Sequence, residues 1–368
     1  METIYCQGCG AKIQTEDENK VGYAPVSALE REDVICKRCF RLKHYNEVQD
    51  VDLTDDDFLN LLHEIGDHDG LVVNIVDLFD VHGSFVDGLN RFVGQNEIIL
   101  VGNKVDLLPS SINLNKVKHW MKRVAKEFGL KVKDVYLVSS KTGTNMEECA
   151  FELERLRQGR DIFVVGCTNV GKSTFINYLI NRSIEQEQVI TTSYFPGTTL
   201  GFIDIPLDDQ SSLIDTPGII NRHQMAHYLS KNDLKVITPD KEVKPKVFQL
   251  ESDQTLFFGA LARLDIDKVD ERKGFVCYVS NDIHIHRTKT DKADLLYDQH
   301  AGELLSPPSD ETLDEMPPLE PQTLQLNRNH KQDIVFSGLG WVTVPKGKTS
   351  VTAYAPKGVR IIVRDAII

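Results

Sequence analysis

The 368-residue chain contains no apolar run of about 18 residues or more, the length a helix needs to cross a bilayer. It also lacks a basic segment leading into an apolar one near its start, so neither a membrane partner nor a secretory signal is expected. The expected compartment is cytoplasmic. An excess of positive charge is missing too: 42 Lys and Arg against 55 Asp and Glu leave −13. A protein that coats nucleic acid without preference needs clustered cations, so that class is excluded for the whole chain, while local basic patches stay open. Cysteine is too sparse for a disulfide scaffold. There are seven, an odd number, and four sit in two CxxC pairs, the usage of metal ligands in a reducing compartment. What is present, 41% hydrophobic and 26% charged residues, suits a globular chain long enough for two or three cores.

The chain is arranged around Asp161 to Thr174, DIFVVGCTNVGKST. Ile162 to Val165 reads as a buried strand, Gly166-x-x-x-x-Gly171-Lys172-Ser173 has the phosphate-loop spacing, and STFINYLI continues as a helix. Glycines let the backbone wrap a phosphate where a Cβ at positive φ would clash. The loop over Asn169, Val170, Gly171, Lys172, Ser173 and Thr174 then turns its N–H groups and the positive helix end toward the β-phosphate. Lys172 is placed to reach the β and γ phosphates, and the Ser173 hydroxyl to ligate Mg2+.

Upstream, Cys6-x-x-Cys9 and Cys36-x-x-Cys39 can each aim two thiolates at one point, completing the tetrahedral sulfur shell that Zn2+ accepts. So short a segment buries too little surface to fold alone, and a metal would supply the missing free energy. Around the second pair, Lys37, Arg38, Arg41, Lys43 and His44 alternate with Phe40 and Tyr45. Cations interleaved with rings suit RNA; a solvated face with two core aromatics is an equal reading.

An acidic stretch, Asp50 to Asp57, with Thr54 as a cap, opens a helix through FLNLLHEIG. LVVNIVD (Leu71 to Asp77) and Glu97 to Gly102 are nearly continuous apolar runs and read as buried parallel strands, with a helix near Ser84 to Val93 between them. The second strand runs into Asn103-Lys104-Val105-Asp106, or NKxD. A carboxylate at Asp106 can accept hydrogen bonds from N1–H and N2–H₂ of guanine, and adenine offers no such pair of donors. A helix over Asn113 to Phe128 leads to a third strand, Val135 to Ser139, that ends in Ser139-Ser140-Lys141, an SAK-type element for the base. Gly143 breaks the chain before another helix, Asn145 to Gln158.

Beyond the phosphate loop comes Phe195-Pro196-Gly197-Thr198-Thr199. A threonine there can bring its hydroxyl and carbonyl to Mg2+ and the γ-phosphate, and Thr199 is preferred over Thr198. Two strands, in GFIDIPL and SSLID, lead to Asp215-Thr216-Pro217-Gly218. Asp215 is the carboxylate for the Mg2+ shell, and the Gly218 N–H is placed to sense the γ-phosphate.

Together the phosphate loop, PGTT, DTPG, NKVD and SSK are the five signature elements of translation-factor-class GTPases, but they run NKxD, SAK, phosphate loop, switch I, DxxG. The chain resembles a circularly permuted GTPase, and its CxxC front end with a long C-terminal extension is similar to the YqeH family. The expected fold is α/β: a doubly wound, mainly parallel P-loop GTPase domain at 49–220, a zinc-ribbon-like module at 1–48 and a β-rich domain at 221–368. The resemblance implies GTP and GDP as ligands, GTP hydrolysis, and a role in assembly of the small (30S) ribosomal subunit, with that particle or its rRNA and proteins as partners. A monomer is expected. Two residues bear on rate. Ile219 follows DxxG where Ras-like proteins carry a water-orienting glutamine, and Asn169 resembles the asparagine with which related GTPases hold K+. Slow basal turnover, accelerated by K+ or a partner, is the expectation.

The C-terminal third is less legible. Gln224 to Ser230 reads as a short helix, Pro239 to Pro245 as a linker, and Phe257 to Ile266, Gly274 to Val279 and Ile283 to Thr288 as strands. A helix near Lys292 to His300 precedes a Pro-rich, acidic connector, Ser306 to Pro321, and alternating strands complete the chain. Lys331, Lys346, Lys348, Lys357, Arg360 and Arg364 make this end locally basic, as an RNA-contacting module or as ordinary surface. His284 and His286 read as exposed. Two other function classes stay open: a zinc-containing RNA-binding scaffold that holds nucleotide with little turnover, and an ATP-dependent enzyme in which NKVD is accidental.

Overall fold

The two apolar runs that precede Lys104, Leu71 to Asp77 and Glu97 to Gly102, become inner strands of a six-stranded sheet. The computed structural model describes residues 4–29, 31, 34–45, 65–86, 88–185, 203–208, 210–216, 218, 221–326 and 329–368. The acidic stretch at 50–57, the start of the helix expected after it, the Thr198/Thr199 segment and Ile219 lie outside these residues.

The strands are β1 (Gly70–Asp77), β2 (Glu97–Asn103), β3 (Val132–Leu137), β4 (Asp161–Gly166), β5 (Ile203–Pro206) and β6 (Ser212–Asp215), in the order β3-β2-β1-β4-β6-β5. All neighbours are parallel except β5, which pairs antiparallel with β6. Leu71, Val72, Val73, Ile75 and Val76 of β1 are all fully buried, as expected of a strand covered on both faces. The chain moves from β1 out to β2 and β3, then returns to β4 on the other side of β1. That reversal opens a crevice at the carboxyl ends of β1 and β4, where ligands of doubly wound sheets bind.

Helices among the described residues of this part of the chain include α1 (Lys37–Tyr45), α2 (Val81–Ser84), α3 (Leu89–Phe92), α4 (Leu114–Glu127), α5 (Met146–Arg157) and α6 (Lys172–Glu185). Val117, Trp120, Met121, Val124 and Ala125 repeat at helical spacing and are the buried stripe of α4. Acidic Glu147 and Glu148 open α5 and basic Arg155 and Arg157 close it, complementing the helix dipole. The one helix expected near 84–93 is two short ones. Asp80 caps α2 through the Gly83 N–H, Phe85 turns extended, and Gly88 takes φ +76° before α3. The spatial grouping gives two compact units, Met1–Asp106 with Lys118–Ile220, and Leu107–Val117 with Asn221–Ile368.

The second unit holds two five-stranded antiparallel sheets. Residues of both, among them Leu256, Leu264, Phe275, Ile334, Val342 and Val351, form one apolar core. The run Phe257 to Ile266, expected as one strand, is a hairpin: Gln254–Phe258 turns at Gly259, φ +58°, into Ala262–Val269. Its continuous apolarity hides the turn because the turn residues Ala260 and Leu261 are themselves buried. A helix, Lys231–Ile237, follows Ser230, whose side chain accepts from the Asp233 N–H. The acidic connector contains a short helix, Asp310–Glu315, and leads into strand Leu319–Gln325. Arg364 is no part of a basic surface, since its Nε donates to buried Asp333 at 3.2 Å. His284 is exposed and His286 half-buried.

Candidate functional site

Two glycines shape the turn between β4 and α6. A Cβ on Gly166 would stand 2.8 Å from the Ile75 carbonyl oxygen of β1, and one on Gly171, at φ +87°, would stand 2.4 Å from Asn103 Nδ2. Between them Asn169 takes φ +63° with its side chain exposed, and Val170 is buried. Lys172 begins α6 fully buried, its Nζ 2.5 Å from Asp215 Oδ1. Ser173 Oγ is buried and has no hydrogen-bond partner among the described residues, while Thr174 is exposed.

The NKxD element leaves β2 against this loop. Asn103 Nδ2 donates to the Val170 carbonyl oxygen at 2.9 Å, and its Oδ1 accepts from the Ser140 N–H and Oγ, both at 3.0 Å. Lys104, at φ +68°, donates through Nζ to Asp77 Oδ2 at the end of β1 and to the Asn169 carbonyl oxygen, each at 2.6 Å. Asp106 lies in a short 3₁₀ turn, Val105–Leu107, and is half-buried. Ser139 is buried and accepts from the Thr142 N–H at 3.1 Å, and Lys141 is exposed. At the end of β6, Thr216 Oγ1 donates to the Val164 carbonyl oxygen at 2.8 Å. A Cβ on Gly218 would come within 3.2 Å of Thr168 Cγ2, so that backbone lies on the phosphate loop. Motifs far apart in the chain thus meet at the carboxyl edge of one sheet. Thr198 and Thr199 lie outside the described residues.

These donors fit a magnesium nucleotide. An orphaned buried hydroxyl at Ser173 and a carboxylate at Asp215 are hard oxygen ligands of the kind Mg2+ takes together with phosphate oxygens. The loop's amides and Lys172 suit the phosphates.

The four thiols of Cys6, Cys9, Cys36 and Cys39 form the second cluster, with all sulfurs within 4.8 Å of one another. Cys9 Sγ and Cys36 Sγ are 3.7 Å apart, about the edge of a tetrahedron built on Zn–S bonds of roughly 2.3 Å. Cys6 Sγ accepts from the Cys36 N–H at 3.2 Å and the Gly8 N–H at 3.4 Å, as a ligated thiolate does. Hydrogen bonding with Cys36, and then with Cys39 and Cys9, holds the Cys6 thiol well below its ordinary pKa. The set can coordinate a zinc-like metal.

Arg38, between the last two cysteines, is a site residue that the motifs did not mark. It is 4% exposed, and its guanidinium pairs with Asp215 Oδ2. Burial, the largest influence, lowers its pKa, but the charge and hydrogen bond of Asp215 together with the charges of Cys9 and Cys39 outweigh it and hold the pKa above the ordinary value. In sequence Arg38 is one more cation among the rings of a basic stretch, and nothing there separates it from Lys37, which pairs with exposed Glu18.

A family model described as "50S ribosome-binding GTPase" matches residues 161–257, and one described as "YqeH-like, C-terminal" matches 272–367. The chain is 58% identical, over its full length and that of the relative, to "Uncharacterized protein YqeH" of Bacillus subtilis. It is 31% identical to "NO-associated protein 1, chloroplastic/mitochondrial" of Arabidopsis thaliana, over 94% of this chain and 71% of that one. Against "Nitric oxide-associated protein 1" of Homo sapiens the identity is 24%, over 99% and 75% respectively.

Proposed function

The chain belongs to the YqeH family of circularly permuted P-loop GTPases, and from that premise we propose that it is a guanine-nucleotide switch acting in assembly of the small (30S) ribosomal subunit. The hydrolysis of GTP to GDP and phosphate follows from the family and the fold. The observation that carries the nucleotide reading is Asn103, which ties the base-side Ser140 to the phosphate-side Val170.

In this reading Asp106 holds the guanine edge, Ser139, Ser140 and Lys141 frame the base, and Asn169 to Thr174 with Lys172 hold the phosphates. Mg2+ bound by Ser173, Thr199 and Asp215 would supply charge neutralisation between the β and γ phosphates. Thr199 and Gly218 read the presence of the γ-phosphate, and the C-terminal β unit, joined in the chain just after Gly218, responds to it. The four-cysteine module holds Zn2+, and the compartment is the cytoplasm. Ile219 offers no hydrogen bond to an attacking water, so intrinsic turnover is slow and K+ at Asn169 or the ribosomal particle raises it.

The small-subunit assignment rests on the family resemblance, whereas one matching model's description names the large subunit. Co-sedimentation with both particles, in GDP and in a nonhydrolysable GTP analogue, tests it. Nucleotide-dependent binding to small subunits or their precursors is the expected result, and binding confined to large subunits overturns it. Among the described residues no helix is long and apolar enough to cross a membrane. Single-turnover hydrolysis with and without small subunits separates the switch from an RNA-binding scaffold, for which no particle would change the rate.

A further inference from the structure

Two cations converge on one carboxylate at the point where the γ-phosphate and its metal belong. Lys172 Nζ takes Asp215 Oδ1 at 2.5 Å, and the Arg38 guanidinium takes Oδ2 and approaches the Asp215 carbonyl oxygen at 3.4 Å. All three side chains are at most 4% exposed. Lys172 belongs to the phosphate loop, and Asp215 begins DxxG. Arg38 comes from outside the sheet, 177 residues earlier in the chain than Asp215, on the turn between Cys36 and Cys39.

That turn holds its arginine firmly. A Cβ on Gly8, in the first CxxC turn, would stand 2.8 Å from Cys39 Sγ, so the two turns are packed as closely as glycine allows. The Cys36 N–H bonds Cys6 Sγ, which fixes the backbone two residues before Arg38. A planar guanidinium with several donors in a fork matches phosphate oxygens as well as it matches a carboxylate, so the same side chain can serve either partner. Ile219, which follows DxxG in the sequence, brings no side-chain hydrogen-bond donor to that position, so a guanidinium supplied from outside the sheet would add to what the phosphate loop provides.

We propose that Arg38 is an arginine finger supplied in cis by the cysteine module, moving from Asp215 to the γ-phosphate when GTP binds. The proposal rests on the GTPase reading above. In hydrolysis the water oxygen forms a bond to the γ-phosphorus, and the bond from that phosphorus to the β–γ bridging oxygen breaks, its electron pair staying on GDP. The water's proton ends on the released phosphate. Arg38 meets the charge that grows on the γ and bridging oxygens, and Asp215, relieved of the guanidinium, would be free to serve as a ligand to Mg2+. The module is then part of the catalytic site, and its two closely packed CxxC turns set where the finger stands.

The full-length chain carrying Arg38→Ala or Arg38→Lys tests this with mant-GDP fluorescence, with and without aluminium fluoride, which mimics the transferring phosphoryl group. Expected for both variants is GDP affinity within about threefold of the native chain, loss of the fluoroaluminate-stabilised complex, and single-turnover hydrolysis lowered roughly 10³-fold, in the range of known fingers. Lysine keeps the charge but not the fork. If it restores the fluoroaluminate complex and the rate, Arg38 is only an ionic tie between module and sheet, and the finger is overturned. A faster rate in Arg38→Ala overturns it as well, by making the contact inhibitory, as does a native chain that forms no fluoroaluminate complex. Absence of GDP binding by the native chain would instead count against the nucleotide reading itself.

Discussion

Asn103 donates its side-chain amide to the carbonyl oxygen of Val170 across 2.9 Å, joining the end of β2 to the phosphate loop that follows β4. Both residues are buried, and the other end of the same amide holds Ser140. Removing this side chain takes a partner from the Val170 carbonyl oxygen and from the Ser140 N–H, while the Ser140 hydroxyl keeps Met146 Sδ. Asn103→Ala should lower unfolding stability by about 1–3 kcal/mol and weaken GDP binding, read by urea denaturation and mant-GDP titration. A variant with native values would mean that the two loops are held together by something else.

Asp106 is half-buried at the turn after Lys104. Asp106→Asn exchanges an acceptor of two guanine donors for an amide that can donate to the 2-oxo group of xanthine. Competition titrations should show preference moving from GDP toward XDP by tenfold or more, each lost charged hydrogen bond being worth about 1.5–3 kcal/mol. An unchanged preference places the base elsewhere.

Asp215→Ala takes away the acceptor that buried Lys172 and Arg38 share. Removing one partner of a buried ion pair typically costs about 3–5 kcal/mol, so denaturant unfolding should show a loss of that order, with hydrolysis abolished. Asp215→Asn keeps the shape and should recover part of the stability but not the rate.

Stripping the four-cysteine module with a strong chelator, or making Cys36→Ser, should release metal at a ratio of about one ion per chain, as one tetrahedral sulfur site requires. The local fold of that module should be lost with it, because its apolar cluster is small and built largely of the cysteines themselves. Elemental analysis, followed by limited proteolysis of the N-terminal segment, checks both. A fully protease-resistant apo module would show that the metal is not what folds it.

Asn169 stands exposed at the lip of the phosphate loop with φ +63°. If it helps to hold K+, hydrolysis in K+ buffer should exceed that in Na+ buffer, and Asn169→Ala should remove the difference. Equal rates in the two salts, with no response to ribosomal particles, remove the proposed activation.

The sequence by itself determined the phosphate loop, the strands that carry the base and switch motifs, the four clustered cysteines and the permuted order. Each depends on local spacing: a buried parallel strand must be a continuous apolar run, and a loop that wraps phosphate needs glycine at fixed positions. The hairpin inside Phe257 to Ile266 and the split of the helix near Ser84 were not legible, because buried turn residues and a single glycine at positive φ leave little mark on an apolar pattern. Tertiary structure alone decided what Arg38 and Arg364 do. Both look like surface cations in the chain, yet one ends on Asp215 and the other on Asp333. The reason is that a charge enters the interior only where folding brings up its counter-charge, and that partner can come from any distance along the chain.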